Sequence, residues 1–321
     1  MKSINPSTFF LLLIIALLMS CNNSKNKAFI EFQAELEFET MALLGEGAFW
    51  NHKTKELYWV DIEDKKFNIY SPSSVTNRSI SMPSLIGTVV PYKESEAVVA
   101  LLDGIYKVNL QTEELSILSD VESNMPENRF NDGKCDPNGN LWVGSMHFGQ
   151  SRPNASVYKI NEEGETVKMI DSVTISNGIV WTKDAKTMYY IDTPTGNIMA
   201  YDYDGKSSSI SNGRIAVEVS EEHGFPDGMA IDENDMLWVG MWNGNSVAHF
   251  DPKSGKLVSK VLVPAHNVTS CAFGGDNFDI LYITTSSLDM TAEEQQASPM
   301  AGSIFKAKPG VKGVKSCFFG N

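Results

Sequence analysis

One hydrophobic pattern recurs along the 321-residue chain and constrains its fold more than any other feature. Each copy is a short run of aromatic and β-branched residues, and the six copies begin at residues 57, 98, 141, 188, 237 and 281. Successive copies are therefore 41, 43, 47, 49 and 44 residues apart. Short strands that repeat near this period are typical of a propeller with one four-stranded sheet per blade. The sequence therefore predicts an all-β fold, a six-bladed β-propeller.

The repeated runs are predicted to be the innermost strands of the blades. In the copy at residues 141–144 every residue is apolar or glycine, which suits a strand that is buried on both faces. Turn-forming residues precede most copies, as at residues 136–140. A parallel α/β fold would need amphipathic helices between the strands, and the sequence shows none. A single helical turn is expected within residues 291–301.

The two ends of the propeller region carry strand patterns that suit closure of a ring. Residues 30–38 alternate between apolar and polar side chains, which is typical of a half-exposed strand. Residues 303–307 form the last strand candidate of the chain. One of these segments is expected to complete a blade with the other.

The first 20 residues have the pattern of an export signal. Residues 9–19 form an unbroken apolar run, long enough for a signal peptide and too short to span a bilayer. The run ends next to Ser20-Cys21, which resembles the bacterial lipoprotein signal, in which the cysteine is acylated. We expect a lipoprotein signal peptide at residues 1–20, a lipidated Cys21 with a polar tether at residues 21–28, and one propeller domain at residues 29–321. The protein would then be anchored to a membrane of the cell envelope; secretion without lipidation is the alternative.

The charge of the chain limits its partners. It has 26 Lys and Arg against 40 Asp and Glu, a net charge of −14. Such an acidic surface disfavours binding to nucleic acid or to anionic lipid. It suits metal cations, although most of the carboxylates are expected to be a solvated surface.

Three cysteines follow Cys21, namely Cys135, Cys271 and Cys317. Their odd number and the lack of a C-x-x-C spacing argue against a disulfide framework or a zinc site. One disulfide with one free thiol stays open in an oxidising compartment.

Four polar segments, each containing glycine, precede copies of the repeat and are the candidates for a shared axial site. They are residues 44–50 with Glu46, residues 128–134 with Arg129, Asn131 and Asp132, residues 175–179 with Asn177, and residues 224–230 with Asp227. Asn-Gly and Asp-Gly are also the commonest hairpin turns, so each dipeptide alone is more often a turn. Their equivalent placement in several repeats favours a site, in loops just before the innermost strands.

These segments resemble the motifs G-E-G-P-x-W, R-x-N-D-G-K, I-S-N-G-x-x-W and P-D-G-M of the regucalcin/gluconolactonase family, in the same order. Further matches are residues 136–139, 189–193 and 269–275, so the resemblance covers roughly residues 40–310. It implies a six-bladed propeller that holds one divalent metal ion through Glu46, Asn177 and Asp227. It also implies substrate contacts from Arg129 and Asn131, with Asp132 behind the site.

Two departures from the family pattern stand out. Ala48 replaces the proline of the first motif, which we interpret as a change in the loop only. After residues 144–146, similar sequences carry acidic residues near the sugar site, whereas this chain has His147-Phe148-Gly149. His147 is therefore a candidate substrate contact, and the identity of the substrate is less constrained than the metal site.

The candidate ligands offer only oxygen, which suits hard cations such as Ca²⁺, with Mg²⁺, Mn²⁺ and Zn²⁺ as alternatives. The hypothesis is a metal-dependent hydrolase of a small sugar lactone, in which Asp227 is also the general base and Arg129 binds oxygens of the substrate. A non-catalytic, metal- or ligand-binding lipoprotein is the alternative from another class, because propellers host many functions. A propeller enzyme of the strictosidine-synthase or paraoxonase type is disfavoured by the Arg129 and Asn131 motif.

Overall fold

The computed structural model describes residues 30–320, which contain 25 strands and one short α-helix. The predicted signal peptide, Cys21 and the tether lie outside the described residues. In chain order the elements are β1 (Ile30–Gln33), β2 (Glu35–Phe38), β3 (Gly45–Asn51), β4 (Glu56–Asp61), β5 (Lys66–Ser71), β6 (Thr76–Ser81), β7 (Ile86–Pro91), β8 (Glu96–Leu101), β9 (Gly104–Asn109), β10 (Leu115–Ser119), β11 (Asn128–Cys135), β12 (Leu141–His147), β13 (Ala155–Ile160), β14 (Thr166–Val173), β15 (Ser176–Trp181), β16 (Thr187–Asp192), β17 (Asn197–Asp204), β18 (Ser209–Glu218), β19 (Phe225–Ile231), β20 (Leu237–Trp242), β21 (Ser246–Asp251), β22 (Lys256–Leu262), β23 (Asn267–Gly274), β24 (Ile280–Ser286), α1 (Ala292–Ala297) and β25 (Ile304–Ala307).

The strands form six sheets, the blades of a β-propeller, in which all pairs of neighbouring strands are antiparallel except β1 with β22. Blades 1 to 5 consist of β3–β6, β7–β10, β11–β14, β15–β18 and β19–β22, and blade 6 consists of β23–β25 with β2. The first strands of the blades contact one another in succession, and β23 contacts β3 to close the ring. The prediction of an all-β, six-bladed propeller is therefore confirmed.

The repeated hydrophobic runs are not the innermost strands, which corrects that prediction. They form the second strand of each blade, namely β4, β8, β12, β16, β20 and β24. A second strand lies between two strands of its own sheet and packs against neighbouring blades on both faces, so it is the most uniformly apolar. The innermost strand lines the axis, where polar side chains meet, and its sequence is therefore mixed.

The predicted polar segments lie within the innermost strands, whereas we expected loops before them. Each innermost strand has an irregular register against the second strand, as between Phe130 and Gly133, Ser176 and Ile179, and Pro226 and Met229. Such bulges re-aim side chains at the place where they occur. The Asn-Gly and Asp-Gly dipeptides of these segments are therefore parts of bulges and not hairpin turns, which were the alternative for each dipeptide alone.

A glycine follows the site residue in two of these bulges because the neighbouring blade approaches closely. A Cβ atom on Gly178 would lie 2.6 Å from Cβ of Met229, and one on Gly228 would lie 2.7 Å from Cβ of Ser270. Any side chain there would push adjacent innermost strands apart, so glycine permits the tight ring.

The N-terminal segment closes the propeller as two strands instead of one. β2 pairs antiparallel with β25 and supplies the outermost strand of blade 6, which confirms the prediction that the two ends share a blade. β1 turns to blade 5 and pairs in parallel with β22. Lys306 of β25 also forms a 2.6 Å ion pair with Glu37 of β2.

The C-terminal residues after β25 cross the end of the ring at which the innermost strands finish. Backbone contacts join Gly313 to Asp232 and Cys317 to Cys135, and the amide of Phe319 donates to the carbonyl of Pro91. A cavity of about 170 Å³ lies under this tail. Cys135, Cys271 and Cys317 are free thiols, so no disulfide is present among the described residues.

The expected helical turn in residues 291–301 is α1, which begins with a capping box between Thr291 and Glu294. None of the helices within residues 30–320 is both long and apolar enough to cross a membrane.

Candidate active site

The predicted site residues converge because they occupy matching positions near the start of their strands. Glu46 is the second residue of β3, Asn177 the second of β15 and Asp227 the third of β19. Arg129 and Asn131 lie in the first half of β11. Since the innermost strands stand side by side around the axis, these side chains meet at one end of the channel.

The three predicted metal ligands are almost completely buried. Glu46, Asn177 and Asp227 are each 5% exposed. Oε2 of Glu46 accepts a 2.8 Å hydrogen bond from the amide of Gly47, a residue whose φ of 62° favours glycine. Oδ1 of Asp227 is buried and accepts no hydrogen bond from the described residues.

The two buried carboxyl groups perturb each other. Burial, with the nearby charge of Asp132 as a further cause, raises the pKa of Glu46 to about 8. Burial and the charge of Glu46 raise the pKa of Asp227 well above its usual range. A pair of buried carboxyls is stable as a neutral acid or beside a cation, and a carboxylate oxygen without a partner is costly.

These residues fit a divalent cation. The set consists of two carboxylates and one amide. A cluster of three or more His, Cys, Asp and Glu side chains that could hold a metal ion does not occur among the described residues, and this set contains only two such side chains. The donors are oxygens, which suit Ca²⁺ and similar hard ions, and a 2+ charge would balance the two carboxylates. The unpartnered Oδ1 of Asp227 is a buried acceptor that a bound cation would satisfy.

A chain of hydrogen bonds links the blades around this set. Nη1 of Arg129 donates to Oδ1 of Asn131 at 2.6 Å, and Nδ2 of Asn131 donates to Oδ1 of Asn177 at 2.9 Å. Nδ2 of Asn177 then donates to Oγ1 of Thr193 at 2.7 Å, and this hydroxyl donates to the carbonyl of Pro226 at 2.8 Å. The chain fixes the amide of Asn177 so that its oxygen faces inward.

Thr193 contacts the predicted site residues and was not predicted from the sequence. It lies in the segment at residues 189–193 that matches the family, but nothing in that segment shows a contact across blades. Its hydroxyl joins blade 4 to the carbonyl before Asp227 in blade 5.

Two aspartates at the ends of second strands bind the backbone just before β3 and β15, the strands that carry Glu46 and Asn177. Asp61 accepts hydrogen bonds from the amides of Leu43 and Leu44, two residues before Glu46. Asp192 accepts equivalent bonds from the amides of Thr174 and Ile175, two residues before Asn177. These carboxylates replace backbone pairing where β3 and β15 begin.

A cavity of about 430 Å³ opens above the polar residues, a size that suits a small organic ligand. Glu46, Asn177, Asp227, Arg129 and Asn131 all line it. Arg129 is buried, which lowers its pKa, while the carboxylates of Glu63, Glu46 and Asp227 oppose that shift. The hydrogen bonds of its guanidinium group within the described residues use Nη1 only, so the remaining N–H groups can face a ligand.

His147 lies beside the cavity without lining it. Its neighbours Met146 and Phe148 line the cavity, because successive side chains point to opposite sides at the end of β12. Nε2 of His147 instead lies 4.0 Å from the carboxylate of Glu127. Asp132 is buried below the site, and its charge contributes to the raised pKa of Glu46 and Asp227.

Residues 44–287 match the family model described as the SMP-30/Gluconolactonase/LRE-like region, which is more than half of the chain. This chain belongs to that family. The SMP-30/gluconolactonase family assignment agrees with the resemblance seen in the sequence motifs.

Curated relatives extend the match over nearly the whole propeller. A Bacillus subtilis (strain 168) protein with the name "Putative sugar lactone lactonase YvrE" is 40% identical over 275 residues, covering 86% of this chain and 94% of that protein. Regucalcin of Xenopus laevis is 35% identical over 283 residues, covering 86% of this chain and 94% of its own length.

Solved structures of the family show the same architecture. The crystal structure of a calcium-binding protein, regucalcin of Agrobacterium tumefaciens, superposes with a TM-score of 0.86 at 24% identity, covering 91% of this chain and 98% of that one. A luciferin-regenerating enzyme superposes with a TM-score of 0.82 at 32% identity, covering 89% and 98%.

Proposed function

We propose that this protein is a metal-dependent lactonase, which hydrolyses a small lactone such as a sugar lactone. The observation that carries the proposal is the carboxylate of Asp227, whose Oδ1 has no partner among the described residues and which lines the cavity together with Glu46 and Asn177. Membership of a family that includes a protein named as a sugar lactone lactonase supports the same reaction.

Hydrolysis requires a group that accepts a proton from water and groups that donate hydrogen bonds to the ester oxygens. Asp227 takes the proton from the attacking water, whose oxygen bonds to the lactone carbonyl carbon. The bond from that carbon to the ring oxygen then breaks, and the proton passes from Asp227 to the ring oxygen, which gives the open hydroxy acid. Arg129, held by Asn131, donates hydrogen bonds to substrate oxygens and fixes the ring over the floor.

Glu46, Asn177 and Asp227 would hold a divalent cation, with Ca²⁺ as the first candidate. When bound, such an ion supplies Lewis acidity that favours charge build-up on the carbonyl oxygen. Its charge also favours the ionised form of Asp227, which a base must have at neutral pH.

The test is the rate of hydrolysis of D-glucono-1,5-lactone by the purified protein and by the Asp227→Asn variant, with Ca²⁺ supplied. Loss of a general base typically lowers the rate about 10²- to 10⁴-fold, so we expect the rate of the variant to be lower by at least about 10²-fold. Asp276→Asn, which changes an exposed aspartate, is the matched control. An Asp227→Asn rate equal to that of the control would refute the assignment of the base.

A non-catalytic binding protein is the second candidate, because the same buried oxygen set would also suit a site that only holds a cation. Tight Ca²⁺ binding by the purified protein with no turnover of any lactone would favour it.

We also propose that the protein is exported and anchored to a membrane of the cell envelope through an acylated Cys21. The motif at residues 18–21 and the polar tether behind it support this location. Cys21→Ser should move the protein from the membrane fraction to the soluble fraction, whereas Cys317→Ser should not. Membrane association that survives Cys21→Ser would contradict lipidation.

A further inference from the structure

Large apolar side chains surround the mouth of the cavity above its polar floor. They are Phe148, Phe225, Trp242 and Leu288. Phe148 is 45% exposed and Phe225 is 43% exposed, although phenylalanine is among the residues most often buried. Ligand pockets are lined mainly by apolar and aromatic side chains, and a contiguous exposed apolar patch commonly marks a binding site.

The fold holds these side chains on several sides of the mouth. Phe148 follows β12 in blade 3, whereas Phe225 and Trp242 are cross-strand partners at the ends of β19 and β20 in blade 5. Leu288 follows β24 in blade 6, where its amide donates to the carbonyl of Leu43 and to the hydroxyl of Ser286. An apolar group that rises from the floor therefore meets apolar surface from blades 3, 5 and 6.

The charged groups at the mouth of the cavity disfavour an anionic substituent on the ligand. Glu63 and Asp289 line the cavity and are exposed, whereas its cation, Arg129, lies buried at the floor. Two carboxylates at the entrance repel a phosphate or a carboxylate on the outer part of a ligand. The entrance therefore disfavours an anionic outer group, and the apolar side chains around it favour an uncharged, apolar one.

We infer that the preferred substrate is a lactone whose ring carries an uncharged apolar substituent, alkyl or aryl, that contacts Phe148, Phe225 and Trp242. The inference rests on the proposed lactonase function and adds the substrate class. Aromatic rings also stack against sugar faces, so an unsubstituted sugar lactone is the necessary comparison.

The test compares the kcat/KM of the purified, Ca²⁺-supplied protein for δ-valerolactone and for δ-undecalactone. These substrates share the same lactone ring and differ by a hexyl chain. One methylene in an apolar pocket is worth about 10- to 200-fold in kcat/KM at best, so we expect δ-undecalactone to be preferred at least tenfold. D-Glucono-1,5-lactone reports on the hydrolytic reaction itself.

The preference should fall about tenfold in Phe225→Ala and in Phe148→Ala, because either change removes an aromatic wall of the mouth. Phe148→Ala keeps the test valid if the strand residue Phe225 is also needed for folding. Ile117→Ala, at a 61% exposed apolar residue on the outermost strand of blade 2, should leave the preference unchanged.

The outcomes separate the two claims. Equal kcat/KM for the two δ-lactones, together with turnover of D-glucono-1,5-lactone, overturns the substrate class and leaves the lactonase in place. A preference that is unchanged in both phenylalanine variants also overturns it. No turnover of any of the three lactones overturns the proposed function and the inference together.

Discussion

Asp227 is the residue on which the account of the site depends most. It is buried, its Oδ1 has no partner among the described residues, and its negative charge would be repelled by that of Glu46. A folded protein gains little from two buried carboxyls unless a ligand balances them, so their retention points to function instead of stability.

The raised pKa of Glu46 predicts how stability responds to pH. A carboxyl whose pKa rises from 4.5 to about 8 on folding binds its proton more tightly in the folded state. Its stabilising effect is therefore complete below pH 4.5 and is lost as the pH rises towards 8. Metal-free protein should show a falling Tm over this range.

Added Ca²⁺ should raise the Tm more at pH 8 than at pH 5, because the cation competes with protons for Glu46 and Asp227. Thermal unfolding with a chelator and with Ca²⁺ at both pH values measures the effect. Glu46→Gln removes the titrating group, and the metal-free variant should lose much of the pH dependence. An equal Ca²⁺ shift at both pH values would contradict the site.

Thr193 predicts a positioning effect on the metal ligand. Thr193→Val removes the acceptor for Nδ2 of Asn177 while keeping the shape of the side chain. Loss of such an orienting bond typically weakens metal affinity by about 10- to 100-fold. Calcium titration measures the affinity of the variant, and Thr112→Val, on an exposed turn, is the control. An affinity of Thr193→Val equal to that of the control would show that Thr193 does not position the metal ligand.

At the level of single elements, the hydrophobic pattern predicted correctly that the six runs are strands, but it did not predict their position within each blade. The runs at residues 57, 98, 141, 188, 237 and 281 were found because second strands are buried on both faces. The innermost strands have a mixed sequence, and their bulges depend on contacts with the neighbouring blade, as at Gly178. Local sequence does not record those contacts.

The same limit explains which site residues the sequence predicted. Glu46, Asn177 and Asp227 lie in motifs that resemble a family, and the structure brings them together. His147 was proposed because it stands where similar sequences carry acidic residues, and the direction of its side chain at the end of β12 could not be derived from sequence. Thr193 was missed because its partner lies in another blade.

The hairpin between β11 and β12 offers a test at this scale. Asp136 is fully buried and accepts hydrogen bonds from Nε1 of Trp142, the hydroxyl of Tyr203 and nearby amides. Asp136→Ala leaves these donors unpaired and should lower the free energy of unfolding by about 2–5 kcal/mol. Chemical denaturation measures the free energy of unfolding of this variant, and Asp204→Ala, at an exposed aspartate, is the control. A loss of stability that exceeds that of the control by less than about 1 kcal/mol would contradict this role for Asp136.

At the scale of the whole molecule, the ring is closed by strands from both ends of the described chain. β2 covers the edge of β25, and Phe38 packs on Tyr70 of blade 1 with ring centroids 5.1 Å apart. Closure of the ring leaves only short edges at the outer strands of the blades and fixes the spacing of the innermost strands that form the site.

Deletion of residues 30–38 should therefore affect both stability and the site. The shortened chain should unfold at a clearly lower temperature and bind Ca²⁺ more weakly, because blade 6 loses its outer strand. A chain that lacks only residues 22–29 is the control. Equal Tm values for the two truncated chains would show that closure by β2 contributes nothing.

The most direct test of the central claim is the rate of D-glucono-1,5-lactone hydrolysis by purified protein stripped of metal and then given Ca²⁺, Mg²⁺, Mn²⁺ or Zn²⁺. We expect turnover to disappear with the metal and to return with at least one of these ions. Turnover that persists in the stripped protein, or protein that binds metal and hydrolyses no lactone, would contradict it.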